Sequence, residues 1–254
     1  MWIQDQGYPQ PEKTIMAHHH RRPITAARNA FLLVFALGLL LCAQPAAAIV
    51  FSDADFNPAD WVAQAFLTET STAAASTQSS GGNPADHRKI DLYSSSGFQQ
   101  PMGKSMLVEL KISAVVSPVA LGGITVVDYQ EDHRCTCVGG GVLWGPALEQ
   151  GGVYYIVPGN SMPNSYTLPW TVEALTGLTA TDFEEVVISS PTMTNAASHP
   201  DFSATGLPIT FGYVRAKAFL ATTSSFLDNW SVSINETPVG AETRPWGVVK
   251  ALYR

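Results

Sequence analysis

The strongest constraint on the fold of this chain is its rhythm. Short runs alternate apolar and polar residues, and Gly, Pro, Asn or Ser soon cuts each one off. No stretch after residue 48 sustains a helical period. "MLVELKISAVV" sets Met106, Val108, Leu110 and Ile112 against Glu109, Lys111 and Ser113. "PITFGYVRAKAF" sets Thr210, Gly212, Val214, Ala216 and Ala218 against Phe211, Tyr213, Arg215, Lys217 and Phe219. "PWTVEAL" groups Trp170, Val172 and Ala174, and "DNWSVSIN" points Trp230, Val232 and Ile234 inward with Ser231 and Ser233 outward. A run of period two buries one face and wets the other, which is the logic of an antiparallel sheet. The expected fold is all-β, an antiparallel two-sheet β-sandwich.

Between these runs, the polar stretches 68–84 and 189–200 hold little to bury and read as surface loops. "TGLTATDFEEV" offers one helical turn, with Thr181 as its cap and Glu184 three residues on. Three segments follow: 1–48 as an N-terminal extension and signal peptide, 49–235 as the sandwich, and 236–254 as a C-terminal tail. The first has a basic stretch from His18 to Arg28, the apolar core "FLLVFALGLLLCA" and small residues at Ala46 and Ala48. The apolar core falls short of the roughly 20 residues that span a bilayer. An exported, cell-surface or extracellular protein with no transmembrane anchor after cleavage is therefore expected.

Charge narrows the partners. Setting aside 1–48 removes two acidic and four basic residues and leaves 19 against 10, a formal charge of −9. Such a surface repels phosphate backbones, and nucleic acid is excluded as a partner. Two cysteines remain, Cys135 and Cys137 in "HRCTCVGGG". A turn allowed by the three glycines would bring them into disulfide reach; free thiols, or a metal site with His133, are the alternatives.

Catalytic patterns are thin. No Gly-x-Ser-x-Gly elbow, HExxH helix or phosphate-binding loop occurs. "DYQEDH" and "DFEEV" lack the spacing that places two carboxylates across a glycosidic bond, and Glu109 has no partner two residues away. A binding module asks for less, since aromatic faces stack on the C–H faces of sugars while polar side chains take the hydroxyls. Tyr213 and Arg215 on one strand face, with Trp144, Tyr154 and Tyr166 near neighbouring strand ends, are the candidate ligand residues.

The chain ends add a likeness. "FSDADFNPADW" after the signal and "FLDNWSVSIN" before the tail resemble the terminal strands of jelly-roll carbohydrate-binding modules and concanavalin A-like sandwiches of secreted bacterial proteins. The resemblance implies a structural calcium between the first and last strands, with Asp53, Asp55 or Asn57 and Asp228 as ligands. Read from the residues alone, the same stretch is a strand start followed by an Asn-Pro turn. The expected function is a secreted, non-catalytic, lectin-like module for a polysaccharide or cell-surface glycan. A structural or adhesive envelope protein attached through "RPWGVVKALYR" in 236–254 is the second reading, and a glycoside hydrolase-like enzyme the third.

Overall fold

The computed structural model describes residues 48–83, 86–94, 104–137, 141–162, 169–189, 192–217 and 219–235. Residues 1–47, which hold nearly all of the expected signal segment, the tail 236–254 and Tyr166 lie outside the described residues. Among the described residues fourteen strands form two sheets, and every pairing is antiparallel. The six-stranded sheet holds β1 (Ile49–Asp53), β3 (Thr72–Gln78), β4 (His87–Ser94), β6 (Val127–Cys137), β10 (Thr171–Leu178) and β14 (Ala221–Ile234). Their order is β10-β6-β14-β4-β3, and β1 lies beside the C-terminal half of β14. The eight-stranded sheet holds β2 (Trp61–Leu67), β5 (Ser105–Val116), β7 (Val142–Gln150), β8 (Val153–Ile156), β9 (Ser161–Met162), β11 (Glu184–Ser189), β12 (Thr192–Ala196) and β13 (Ile209–Lys217). Its order is β12-β11-β8-β7-β13-β5-β2, with β9 paired to β7. The chain crosses repeatedly between the sheets, as in jelly-roll sandwiches.

Odd-numbered residues of β6 and β13 point between the sheets. There Trp230, Tyr129, Phe211, Ile90, Leu92 and Val232 form the main core. Each large apolar side chain removed from water contributes about 1.5–3 kcal/mol. One end is closed by aromatics: Trp61 packs at 5.1 Å on Trp230, 5.4 Å on Tyr213 and 5.7 Å on Phe56. Trp230, Val232 and Ile234 are all inside, as the alternation of "DNWSVSIN" predicts.

Several expectations are corrected. The 68–84 segment contains β3, and 189–200 contains β12. Small residues suffice in β3 because it pairs at a sheet edge and offers only Ala73 and Ala75 to the core, while β12, at the edge of the other sheet, buries Met193. The turn before β11 is a 3-10 turn, Ala180–Asp182, capped by Thr179 with Asp182 closing the box, and not by Thr181 with Glu184. In β5 the apolar face of Met106, Val108 and Leu110 turns away from the main core into a second apolar cluster, while Glu109 points inward and is buried. Strands in the middle of this sheet are covered on both faces, so alternation no longer tells inside from outside.

Candidate functional site

Two faces of the sandwich were open to carrying a ligand, and they differ sharply. The outer face of the eight-stranded sheet is filled. Met106, Val108, Val214, Ala147 and Ile156 are fully buried there, and Met193 of β12 joins them. Phe66 of β2 meets Tyr154 of β8 edge-on at 5.2 Å. β5, β13 and β7 lie between those two strands, a distance of roughly 19 Å in a flat sheet, so a strongly curved sheet brings the two rings together above its middle. Tyr154 is thus committed to packing, and burial raises its phenol pKa, with Glu149 adding to the effect.

The outer face of the six-stranded sheet is open. A trough of about 710 Å³ runs along β6 and β14, lined by Asp128, Gln130, Ser231 and Ser233, with Val50 on one wall and Ala174 and Thr176 on the other. Register builds it: Ser231 pairs with Gln130 and Ser233 with Asp128, while Ala174 pairs with Gln130 from the other side. Val50 and Val172 are 61% and 60% exposed on this face, so its rim offers apolar surface to solvent.

One step along the strands, a bulge between Asp228 and Ser231 interrupts β14. It lets Asp228 face outward beside Asp132 while Trp230 returns to the core, the re-aiming that bulges achieve. Asn229, at φ 46°, donates its side-chain amide to Asp132 Oδ2 at 2.7 Å and to the Asn83 carbonyl at 2.6 Å. Asn83 donates its own amide to Asp132 Oδ2 at 2.9 Å and its backbone N–H to Asp228. Burial raises the Asp228 pKa, and the charges of Asp132 and Asp86 push the same way against the two backbone N–H donors, from Asn83 and Asn229.

A third row follows. Lys89, Phe226 and Arg134 are register partners across β4, β14 and β6, and Trp170 completes the row just before β10. The Arg134 guanidinium lies 4.9 Å from the Trp170 ring and 4.5 Å from the Phe226 ring. His87 packs on both rings at 5.6 and 5.5 Å, and its ring nitrogens have no hydrogen-bond partner. Burial lowers its pKa, and the charge of Arg134 lowers it further.

The residues expected to bind ligand lie elsewhere. Tyr213 and Arg215 are fully buried between the sheets. Tyr213 donates to Glu109, and Arg215 donates to Glu131 Oε1 at 2.8 Å. Trp144 also faces the core, 4.9 Å from His133. The cause is again the two-sided burial of β13 and β7, which alternation cannot report. Within the sandwich Arg88 makes two bonds to Glu109, at 2.9 and 2.5 Å, so two Arg–Glu pairs join the sheets in opposite senses. Neither Glu109 nor Glu131 borders a cleft, since both are sealed from solvent.

The calcium ligand set does not fit either. Asp53 ends β1 instead of continuing it. Its carboxylate accepts from the backbone N–H of Asp55 at 3.0 Å and Phe56 at 2.9 Å, from Trp61 Nε1 at 2.9 Å, and from Lys111. Asn57 caps the 3-10 turn Pro58–Asp60, accepting from Ala59 N–H. These oxygens are spent on the chain itself and on an ammonium, which takes the place a cation would need. No group of three or more His, Cys, Asp or Glu side chains able to hold a metal occurs among the described residues. Cys135 and Cys137 form a disulfide within β6, with Cα atoms 5.3 Å apart and both side chains in the core. Of this outer face the sequence had placed Ser231 and Ser233 outward, while the apolar group Val172 and Ala174, on which alternation suggested burial, also lies there.

No protein-family model matches the chain, and no curated protein matches it in sequence. Solved structures do resemble it in fold. A family 11 carbohydrate-binding module from Clostridium thermocellum, in complex with a mixed-linked tetrasaccharide, is 9% identical, with 74% of this chain and 96% of that one covered and a TM-score of 0.44. The CBM22-1 xylan-binding domain from Paenibacillus barcinonensis is 7% identical, with 77% and 99% covered and a TM-score of 0.37. Basic winged bean lectin with Tn-antigen is 13% identical, with 74% and 98% covered and a TM-score of 0.35. At these identities the likeness is one of β-sandwich architecture.

Proposed function

We propose that this protein is an exported, non-catalytic carbohydrate-binding module that lays a glycan chain along the outer face of its six-stranded sheet. The observation that carries this reading is the open trough over β6 and β14. It pairs the donors and acceptors a sugar ring requires, Asp128, Gln130, Thr176, Ser231 and Ser233, with apolar walls at Val50 and Ala174. Its volume of about 710 Å³ lies in the range of small-molecule sites and suits a short run of sugar rings. The trough leads toward Phe226 and Trp170, whose half-exposed rings offer the stacking surface sugars use.

The test is binding of residues 49–254 to a panel of soluble polysaccharides by affinity electrophoresis and calorimetry. Ser231→Trp fills the trough from its floor and is expected to abolish binding while leaving the melting temperature nearly unchanged. Gln130→Ala removes an amide that can serve two hydroxyls and is expected to weaken binding about fivefold to tenfold. Retained affinity in Ser231→Trp would sink the proposed site. Failure of the wild-type chain to bind any polysaccharide would sink the function.

A further inference from the structure

Among the described residues, the outer face of the six-stranded sheet holds a cation, Arg134, with no acidic partner. Arg88, Arg215, Lys89, Lys104 and Lys111 are each ion-paired with a carboxylate. Arg134 has neither an ion pair nor a hydrogen bond among the described residues, and its Nε is buried without a partner. In a chain with 21 acidic and 14 basic residues, an arginine without an acid is unexpected. Acids are close at hand. Asp132 stands two residues away on the same face, yet its carboxylate is drawn to the amides of Asn83 and Asn229. The bulge that positions Asn229 therefore keeps Asp132 from neutralising Arg134.

The flanking rings explain how the guanidinium is held. Trp170 on the β10 side and Phe226 on the β14 side lie within 5 Å of it, and Trp170 is fixed in turn by a bond from Nε1 to the Gly81 carbonyl at 3.3 Å. Aromatic contacts satisfy the charge but leave the N–H groups unused. A planar fork of donors held between rings matches a planar carboxylate in two parallel bonds. Thr136 and Ser224 border the row on the side away from Asp132, and the Ser224 hydroxyl donates to Asp91 Oδ1 at 2.5 Å, so the Asp91 carboxylate on that side is also held away from Arg134 by its own partners Ser224 and Lys89.

We propose that Arg134 is a specificity residue that selects polysaccharides bearing carboxylates, so that the glycan bound by this module is rich in hexuronic acid. The inference rests on the carbohydrate-binding reading above and narrows it. The charge of the whole protein makes the claim sharper. A formal charge of −7 repels polyanions, so any preference for them has to come from a local contact such as this one. At about 0.15 M salt the repulsion is screened beyond roughly 8 Å, whereas the contact persists.

The experiment measures binding of residues 49–254 at that salt concentration to polygalacturonate, alginate and glucuronoxylan, each beside its carboxyl-reduced form, and to dextran sulfate. The expected result is binding of at least one acidic polymer about tenfold or more tighter than its reduced counterpart. Arg134→Met keeps an unbranched apolar stem between the rings and should erase that difference while leaving binding of the reduced polymer unchanged. Arg134→Lys keeps the charge without the fork and should recover only a small part of it. Equal binding of acidic and reduced forms overturns the role of Arg134 and leaves the carbohydrate-binding reading standing, as does an acid preference that survives Arg134→Met. Binding of dextran sulfate in place of every uronate overturns the assignment of a carboxylate. Binding of neither form of any polymer overturns both readings. Melting curves of both variants identify any loss that comes from unfolding.

Discussion

At the scale of the residue, the unusual investment is ionic. Arg215 and Glu131 are both fully removed from solvent, and Tyr129 and His133 complete the shell around the carboxylate, His133 at 2.9 Å. A buried ion pair is weak evidence for stability, but breaking one leaves a stranded charge. Arg215→Met is expected to cost about 3–5 kcal/mol, and adding Glu131→Leu to it should restore a large part of that. Urea denaturation of the two single variants and the double variant reads the difference. The pair also sets a pH dependence. Burial works to raise the Glu131 pKa, yet the charge of Arg215 and the bonds from His133 and Tyr129 bring it below the usual carboxylate value. Asp53 is likewise lowered, burial being outweighed by Lys111, Trp61 and two backbone N–H groups. A lowered carboxylate contributes stability that is present above its unfolded pKa of about 4 and is lost as pH falls through the folded one. Urea midpoints should therefore decline below about pH 4. Glu131→Gln should flatten that decline, and an unchanged slope would remove Glu131 as its source. Asp228 acts in the opposite sense, because its raised pKa gives stability at low pH that is lost as pH rises.

At the scale of the element, β13 and β14, each inside its own sheet, show what a strand pattern can and cannot convey. β14 reads correctly from Trp230 onward because its outer face is wet, so serine and tryptophan sort themselves by solvent. β13 lies between β5 and β7 with both faces covered, and its Tyr213 and Arg215 were assigned to the wrong side for that reason. The β5–β13 pairing also carries an irregularity between Thr210 and Gly212. A Cβ at Gly212 would come 1.9 Å from the Glu109 carbonyl oxygen and 2.8 Å from Leu110 Cα, both backbone atoms that cannot swing aside. Gly212→Ala is therefore expected to destabilise by about 1–3 kcal/mol or more through overpacking. A melting temperature within a degree or so of wild type would show that the strands part more easily than this packing implies.

At the scale of the molecule, the two outer faces have divided their roles. One sheet covers its outside with Phe66, Tyr154 and a second apolar cluster, and the other leaves its outside wet, troughed and lined with polar side chains. The ends of the sandwich are fastened by the chain's own groups. Lys111 already holds Asp53, and amides already hold Asp132 and Asp228. Thermal unfolding of residues 49–254 is therefore expected to be the same in millimolar calcium as in excess chelator. A rise of several degrees with calcium would point to a bound ion that stabilises the native state by mass action.

The sequence by itself determined the all-β class, the antiparallel sandwich and the inward face of β14, because period-two alternation follows directly from partition between water and core; it missed β3 and β12, and the apolar face it grouped in β10, Val172 and Ala174, turned outward. It left Cys135 and Cys137 open between a bridge at a turn, free thiols and a metal site, and the structure joins them within β6. Only the tertiary structure decided which side chains stay open to solvent on a sheet face. That depends on which sheet face stays open, and strands far apart in sequence settle it: β2 and β8 close one face through Phe66 and Tyr154, while β1, β6, β10 and β14 shape the trough on the other. Tyr213 and Arg215 carry side chains suited to sugar binding, but covering both faces of β13 turned that chemistry into the core.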